Sequence, residues 1–458
     1  MKVNDEYTVK IEKLSNLGLG IAKIDGMITF IENACPGDEL LIKISKLNKN
    51  YANAVIKEIV TPSEYRITPF CPMQKVCGAC QLQFINYEYQ LKLKQEIVKD
   101  ALHSIAGLDI EIPLPISSPE IREYRCKIQY PVSQTKVSKK ILAGYFKQKS
   151  HEIVNIKYCP IQPEICDKII AYIRENAQKY GISGYNELSH SGELRHLVIR
   201  HSKYSCKNLV TLVINNNKIS DNIRTLANNI FNDFDEISGV CVNLNVQKTN
   251  LIMTDNTKLI SGNKFIEEKI LDKVFSYGPN SFFQVNPKSA ENIFNYVKNY
   301  IKNNFSKPTL FDAYAGVATF GTVLADICSQ VVCVEECNEA IEWAKETLLK
   351  NNIDNVELHN TDAEIFFEKE LNTNCRKFNI TVIDPPRKGS TPKTLDNIIK
   401  LTTDKIIYVS CNPATLARDL KYLLSKGAKI ESIQPFDMFC HTYHIENVAI
   451  IDLKDVNK

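Results

Sequence analysis

Between residues 270 and 458 short apolar runs alternate with segments of helical periodicity, and no other feature restricts the fold as much. Residues 310–312, 331–335, 356–359, 380–384 and 406–410 read as strands, and residues 339–351 as one of the intervening helices. Strands alternating with helices of about 10–15 residues build a parallel, doubly wound sheet, because each crossover needs a covering helix. Ligands of such sheets settle at the carboxyl ends of the strands. The polar residues that end each run are therefore the first candidates for chemistry.

Phe311-Asp-Ala-Tyr-Ala-Gly-Val-Ala-Thr-Phe-Gly321 ends one strand and opens a helix, and Glu335 ends the next strand. An acid there can accept from ribose hydroxyls. The turn lacks the full Gly-x-Gly-x-x-Gly, with Ala318 where a glycine is expected. Missing a pyrophosphate grip, it suits S-adenosylmethionine, which has no phosphate. The bland alternative is that Gly316 and Gly321 only close a tight turn. Asp384-Pro-Pro-Arg-Lys-Gly389 follows another strand and makes either a stiff ligand loop or a rigid connection. Cys411, in Ser410-Cys-Asn-Pro413, emerges at the same sheet edge. A helix starting near Ala414 or Thr415 can lower a nearby thiol pKa through its N-terminal dipole. Glu446, in His441-Thr-Tyr-His-Ile-Glu446, enters an apolar strand, so its pKa should be raised and it can take a proton. His441, His444 and Glu446 do not have a zinc spacing known to us.

The rest of the chain divides in two. Residues 1–61 alternate β-rich runs with turns at Gly18, Asp25-Gly26 and Pro36-Gly37, which predicts a small five-stranded barrel. Residues 62–269 mix helices (90–101, 164–179, 220–231) with strands (196–200, 209–214), an α+β pattern. The formal net charge is only +3, but residues 122–157 hold nine bases against two acids. That stretch is either a solvated face or a phosphate-binding one, led by Arg125 and Lys127. No run approaches the roughly 18 apolar residues of a membrane helix, and no signal peptide is seen, so a cytoplasmic location is expected. In a reducing compartment the 15 cysteines are not a disulfide framework. Cys71, Cys77 and Cys80, with Cys159 downstream, could bind zinc or an iron–sulfur cluster, or simply pack.

Taken together these motifs resemble the S-adenosylmethionine-dependent RNA uracil-C5 methyltransferases, and among them the 23S ribosomal RNA branch. The resemblance rests on Gly278-Pro-Asn-Ser-Phe-Phe-Gln-Val-Asn286, Asp312-Ala-Tyr-Ala-Gly316, Val334-Glu335, Asp384-Pro-Pro-Arg-Lys-Gly389, Ser410-Cys-Asn-Pro413 and residues 441–446. Leu14-Ser-Asn-Leu-Gly-Leu-Gly20 with Pro36-Gly37 resembles the TRAM barrel. The resemblance implies three parts: an OB-like TRAM barrel (1–61), a central iron–sulfur and RNA-binding domain (62–269), and a Rossmann-like methyltransferase domain (270–458). It implies that Gln284, Tyr314, Glu335, Asp384 and Asp362 contact S-adenosylmethionine, that Cys411 is the nucleophile, and that Glu446 is the proton acceptor. It also implies a [4Fe–4S] cluster on Cys71, Cys77, Cys80 and Cys159. The target base must be extruded from its stack, and Phe282 and Phe283 are either walls of the pocket that receives it or core residues. Ala315, Ala318, Cys440 and Ala79 depart from the family pattern without removing a reacting group.

The implied substrate is one uridine or two of 23S ribosomal RNA, with the T-loop of transfer RNA as the alternative. No protein partner is evident. Three other readings compete. Amino-group methylation of a base uses an Asp-Pro-Pro-aromatic loop, against which stand Arg387 and Cys411. Radical S-adenosylmethionine chemistry uses Cys-x3-Cys-x2-Cys, whereas the first gap here is five residues. A non-catalytic RNA-binding or ribosome assembly factor would not need Cys411.

Overall fold

A computed structural model of the chain describes residues 1–374, 376–454 and 456. The amino-terminal sheet contains β1 (Glu6–Lys10), β2 (Lys13–Leu14), β3 (Gly20–Ile24), β4 (Met27–Ile31), β5 (Glu39–Leu47) and β6 (Tyr51–Thr61), ordered β1-β5-β6-β4-β3-β2. Five strands were expected; the sixth, β2, is a two-residue pairing with β3. Asp25 and Gly26, at φ +50° and +82°, form the two-residue turn from β3 to β4, where positive φ matches the twist of a hairpin. Ile31, Leu40, Ile42, Ile44 and Ala52 fill the core of this part.

After α1 (Tyr87–Ala101), whose first turn is capped by the Asn86 side chain accepting from the Tyr89 N–H, comes a second sheet. It comprises β7 (Lys127–Gln134), β8 (Ile141–Ala143), β9 (Leu194–His201), β10 (Asn208–Ile214), β11 (Ile237–Leu244) and β12 (Thr257–Gly262), ordered β12-β11-β10-β9-β7-β8. Helices α2 (Glu164–Lys179) and α3 (Asp221–Asp233) cover one face, burying Ile170, Ile173, Ile223 and Leu226 with Tyr130, Leu197 and Leu212. The alternation of the strands sends Lys127, paired with Arg200, to the opposite face. That face meets the third part: Leu209 and Cys241 pack with Tyr277 and Phe283.

The third part opens with the hairpin β13 (Ile266–Ile270) and β14 (Lys273–Tyr277) and helix α4 (Pro287–Asn304). A seven-stranded sheet follows: β15 (Thr309–Asp312), β16 (Gln330–Glu335), β17 (Val356–Asn360), β18 (Phe378–Ile383), β19 (Thr402–Ser410), β20 (Lys429–Phe436) and β21 (Glu446–Asp452). Between these strands lie α5 (Thr319–Leu324), α6 (Asn338–Lys350), α7 (Ala363–Lys369), α8 (Pro392–Leu401) and α9 (Pro413–Ser425). The strand order is β17-β16-β15-β18-β19-β21-β20, parallel from β15 to β19 and antiparallel on both sides of β21. One detail crosses the sequence divisions: α1 precedes the second sheet, yet its Val98, with Leu102, joins the core built by Leu416, Leu420 and Ile433 of the third.

Candidate active site

Ser410 ends β19 and pairs antiparallel with Asn447 of β21, which brings Cys411 and Glu446 to facing positions at the sheet edge. Helix α9 starts at Pro413, capped by Asn412 Oδ1 accepting from the Ala414 N–H at 3.1 Å. The helix begins one residue ahead of the expected Ala414. Burial, then Glu446, pushes the Cys411 thiol up to about 11, with Arg387 opposing. Desolvation and the facing carboxylate act against the lowering that a helix end can give. Glu446 behaves as expected: burial first, then Asp384, raises its pKa, with Arg387 again opposing. His441 and His444 are held neutral, burial pushing both down to about 4. Among the described residues no three His, Cys, Asp or Glu side chains gather as a metal-ligand group, here or elsewhere.

The Asp384–Ser390 loop is fastened to α9. Asn412 Nδ2 and Thr415 Oγ1 donate to the Arg387 carbonyl, and Arg418 donates to the carbonyls of Lys388 and Ser390. Asp419 Oδ2 accepts from the Ser390 N–H at 2.8 Å and the Tyr408 hydroxyl at 2.7 Å. Gly389 sits at φ +71°, where a Cβ would come 2.6 Å from both Arg418 and Asp419. Glycine is therefore required twice over, by conformation and by space. The result is a rigid loop that holds Asp384 beside Cys411.

The neighbouring strand ends place the other expected residues. Both oxygens of Glu335 accept backbone amides, of Gly316 and of Cys337, each at 2.9 Å. Glu335 therefore ties the glycine turn to the adjacent strand and keeps lone pairs free for a ribose. Ala318 adopts φ +57°, the left-handed conformation that explains why a glycine is expected there. Asp362 Oδ1 caps α7, accepting from the amides of Glu364 and Ile365, so this residue has a structural reason to exist without a ligand. Tyr314 and Gln284 are half-buried. Phe283 is core, stacked on Tyr277 with ring centroids 4.2 Å apart, whereas Phe282 is 60% exposed and free to meet a base.

Asp312 ends β15, a strand-end position that is itself a signal for a site residue. It is buried, and the amides of Tyr314 and Gly321 face it without closing a regular hydrogen bond. Burial, then Asp384, pushes its carboxyl up to about 7. An orphaned buried carboxylate beside an open glycine turn suits a cationic ligand, and S-adenosylmethionine carries a sulfonium and an ammonium. On this test the residues fit that molecule.

Cys71, Cys77, Cys80 and Cys159 line one cavity with Met73, Gln83 and Tyr158, and none is in a disulfide. Burial raises all four thiols, and Cys77, Cys80 and Cys159 are raised further by neighbouring members of the set. The sulfurs stand around the cavity wall without converging on a point. The donor set suits a group that takes four thiolates, since a bound cation reverses these shifts.

The basic stretch splits into two. Lys136, Lys139 and Lys140 stand exposed on the β7–β8 turn. Arg125 is half-buried over the Tyr145 ring, and Lys127 lies half-buried among cations. Burial, then Arg200 and Arg125, pushes its ammonium down to about 7. Arg200 Nη2 in turn donates to the Pro279 and Ser281 carbonyls, bracing the segment that presents Phe282.

Residues 86–454 match the tRNA (uracil-5-)-methyltransferase family, and residues 1–57 match the TRAM domain. An RNA methyltransferase of Clostridium tetani is 36% identical over 451 residues, covering 98% of this chain and 97% of that one. A second, from Halalkalibacterium halodurans, is 36% identical over 453 residues, 99% and 98% of the two chains. The crystal structure of the Pyrococcus abyssi tRNA (uracil-54, C5)-methyltransferase with S-adenosyl-L-homocysteine superimposes with a TM-score of 0.77 at 28% identity, over 97% and 99% of the chains.

Proposed function

Since the chain belongs to the tRNA (uracil-5-)-methyltransferase family and is an S-adenosylmethionine-dependent methyltransferase, we propose that it methylates uracil C5 in RNA through Cys411 and Glu446. The observation that carries this reading is the opposition of Cys411 and Glu446 across the β19–β21 edge, with Asp384 beside them. Uracil C5 is a poor nucleophile. Addition of the Cys411 thiolate to C6 converts the ring to an enolate whose C5 can bond to an electrophilic carbon. S-adenosylmethionine, when bound, supplies that carbon as a methyl group; Gln284, Tyr314, Asp312, Glu335, Asp384 and, at the adenine end, Asp362 would hold it. Glu446 then takes the C5 proton, the C6–sulfur bond breaks, and Cys411 leaves as thiolate. A carboxyl with a raised pKa suits that step.

The substrate we favour is 23S ribosomal RNA, supported by the resemblance of the barrel and four cysteines to that branch. Transfer RNA is the second reading, favoured by the Pyrococcus abyssi structure. Cys71, Cys77, Cys80 and Cys159 would hold a [4Fe–4S] cluster that organises the surrounding lobe, an electron carrier in principle and a structural clamp in this reading.

RNA containing 5-fluorouridine tests the chemistry, since fluorine cannot leave as a proton. A covalent complex should survive denaturing electrophoresis with the intact enzyme and be absent in Cys411→Ala. Absence of the complex with both 23S ribosomal RNA and transfer RNA would reject the mechanism, and its appearance with one alone would choose the substrate. Anaerobic purification should give brown protein with about four irons per chain; colourless protein with zinc would reject the cluster alone.

A further inference from the structure

Glu446 is reached through residues 437–445, a loop that leaves β20 at Phe436, the residue paired with Glu446. Groups from outside the sheet grip this loop. Lys94 of α1 donates to Asp437 Oδ1 at 2.6 Å and to the Phe439 carbonyl at 3.0 Å. Asn286 Nδ2 donates to the Met438 carbonyl and the Tyr124 hydroxyl to that of Cys440.

The grip is tightest at His441. Its N–H donates to Gln90 Oε1 at 3.2 Å, and its carbonyl accepts the Leu82 N–H at 2.8 Å. Ring Nδ1 faces Gln90 Nε2 at 3.3 Å and ring Nε2 faces the Ile121 carbonyl at 2.8 Å. An amide nitrogen only donates and a carbonyl only accepts, so the ring is neutral with its hydrogen on Nε2. Phe70 packs edge-on at 5.0 Å. The residue is 2% exposed and sits at φ +64°, a conformation a side-chain-bearing residue keeps only where its surroundings over-determine it. The cysteine lobe (Phe70, Leu82), helix α1 (Gln90) and the segment before β7 (Ile121) thus meet on one residue, five positions before Glu446.

We propose that His441 is a positioning residue that locks residues 437–445 and thereby aims the Glu446 carboxylate at the C5 proton. This rests on the reading of Glu446 as the base. Loosening the lock leaves thiol addition and methyl transfer intact, because Cys411 and the cofactor turn lie on other elements. It slows the proton removal that must precede release.

Total RNA from a strain lacking the gene, given methyl-labelled S-adenosylmethionine, separates the two steps: label bound to denatured protein is adduct, label in free RNA is product. In His441→Ala the adduct should form at the normal rate and decay at least tenfold more slowly, within the ~100-fold that a 1 Å misplacement costs. Gln90→Met should do the same, and His441→Gln, which keeps a donor and an acceptor, should restore decay. Normal decay in folded His441→Ala, or equal slowing of both steps, would overturn the proposal. Should His441→Ala fail to fold, Gln90→Met decides by the same criteria, and collapse of both would overturn it by making these contacts general to the fold. Glu446→Gln distinguishes the two levels. If it accumulates adduct and the His441 and Gln90 variants do not, this inference alone fails; if it accumulates none, the base reading fails and takes the inference with it.

Discussion

Cys411 must lose a proton before it can add to a pyrimidine, and its surroundings oppose that loss. Burial, then Glu446, raises the thiol, so removing the acid should lower it. We expect Glu446→Gln to speed alkylation of Cys411 by iodoacetamide at pH 8 severalfold, followed by mass spectrometry of its peptide. An unchanged rate would mean that Glu446 does not act on the thiol. The buried carboxyls carry a second expectation. Burial pushes Asp384 up to about 7 from the ordinary value of roughly 4. The folded state therefore holds that proton more tightly than the unfolded chain, and stability present below pH 4 is lost as pH rises towards 7. Asp384→Asn, which cannot ionise, should be more stable than the parent at pH 8, by on the order of 1–3 kcal/mol, and nearly equal to it at pH 4. Thermal melts at both pH values check this, and a stabilised variant that still methylates RNA would contradict the role given to Asp384.

Among the elements, α1 does most to join separate stretches of sequence. Its Lys94 forms a fully buried ion pair with Asp437, and Tyr87 donates to the same carboxylate at 2.8 Å. Replacing such a pair by apolar groups can be neutral, but removing one partner strands the other charge. Lys94→Met should therefore cost about 3–5 kcal/mol in urea unfolding. A loss below about 1 kcal/mol, the scale of an exposed pair, would show that Asp437 finds water or another donor. The elements themselves were partly legible. The 164–179 helix has the predicted bounds, and the 90–101 helix starts three residues earlier, at Tyr87. The two-residue β2 was not legible, because a pairing that short is set by its neighbour β3 and has no periodicity of its own.

At the scale of the whole molecule, the second sheet turns a face bearing Lys127 and Arg200 towards the part that carries Phe282, and the β7–β8 turn carries Lys136, Lys139 and Lys140 exposed. Cations that contact phosphates release condensed counterions, so their removal flattens the salt dependence of binding. The triple Lys→Gln variant at positions 136, 139 and 140 should lower the slope of log affinity against log salt by up to about 2, at about 0.7 per phosphate contact. Covalent trapping at low salt should persist. An unchanged slope would place the RNA elsewhere.

The sequence by itself determined the parallel sheet of the third part and the strand ends at which Glu335, Asp384 and Cys411 stand, because hydrophobic periodicity and strand-end polar residues are local signals. It also located Glu446 at the entry to an apolar strand, and so the sign of its pKa shift. Tertiary structure alone decided the rest. Burial raises the Cys411 thiol, and desolvation depends on what packs against it. Phe282 is exposed while its neighbour Phe283 is core, a difference no periodicity encodes. Asp312 stands orphaned, and α1 packs on a sheet whose first strand begins more than 200 residues later in the chain. These outcomes are long-range: they are set by which surfaces meet, and burial and charge proximity have no counterpart in the order of residues along the chain.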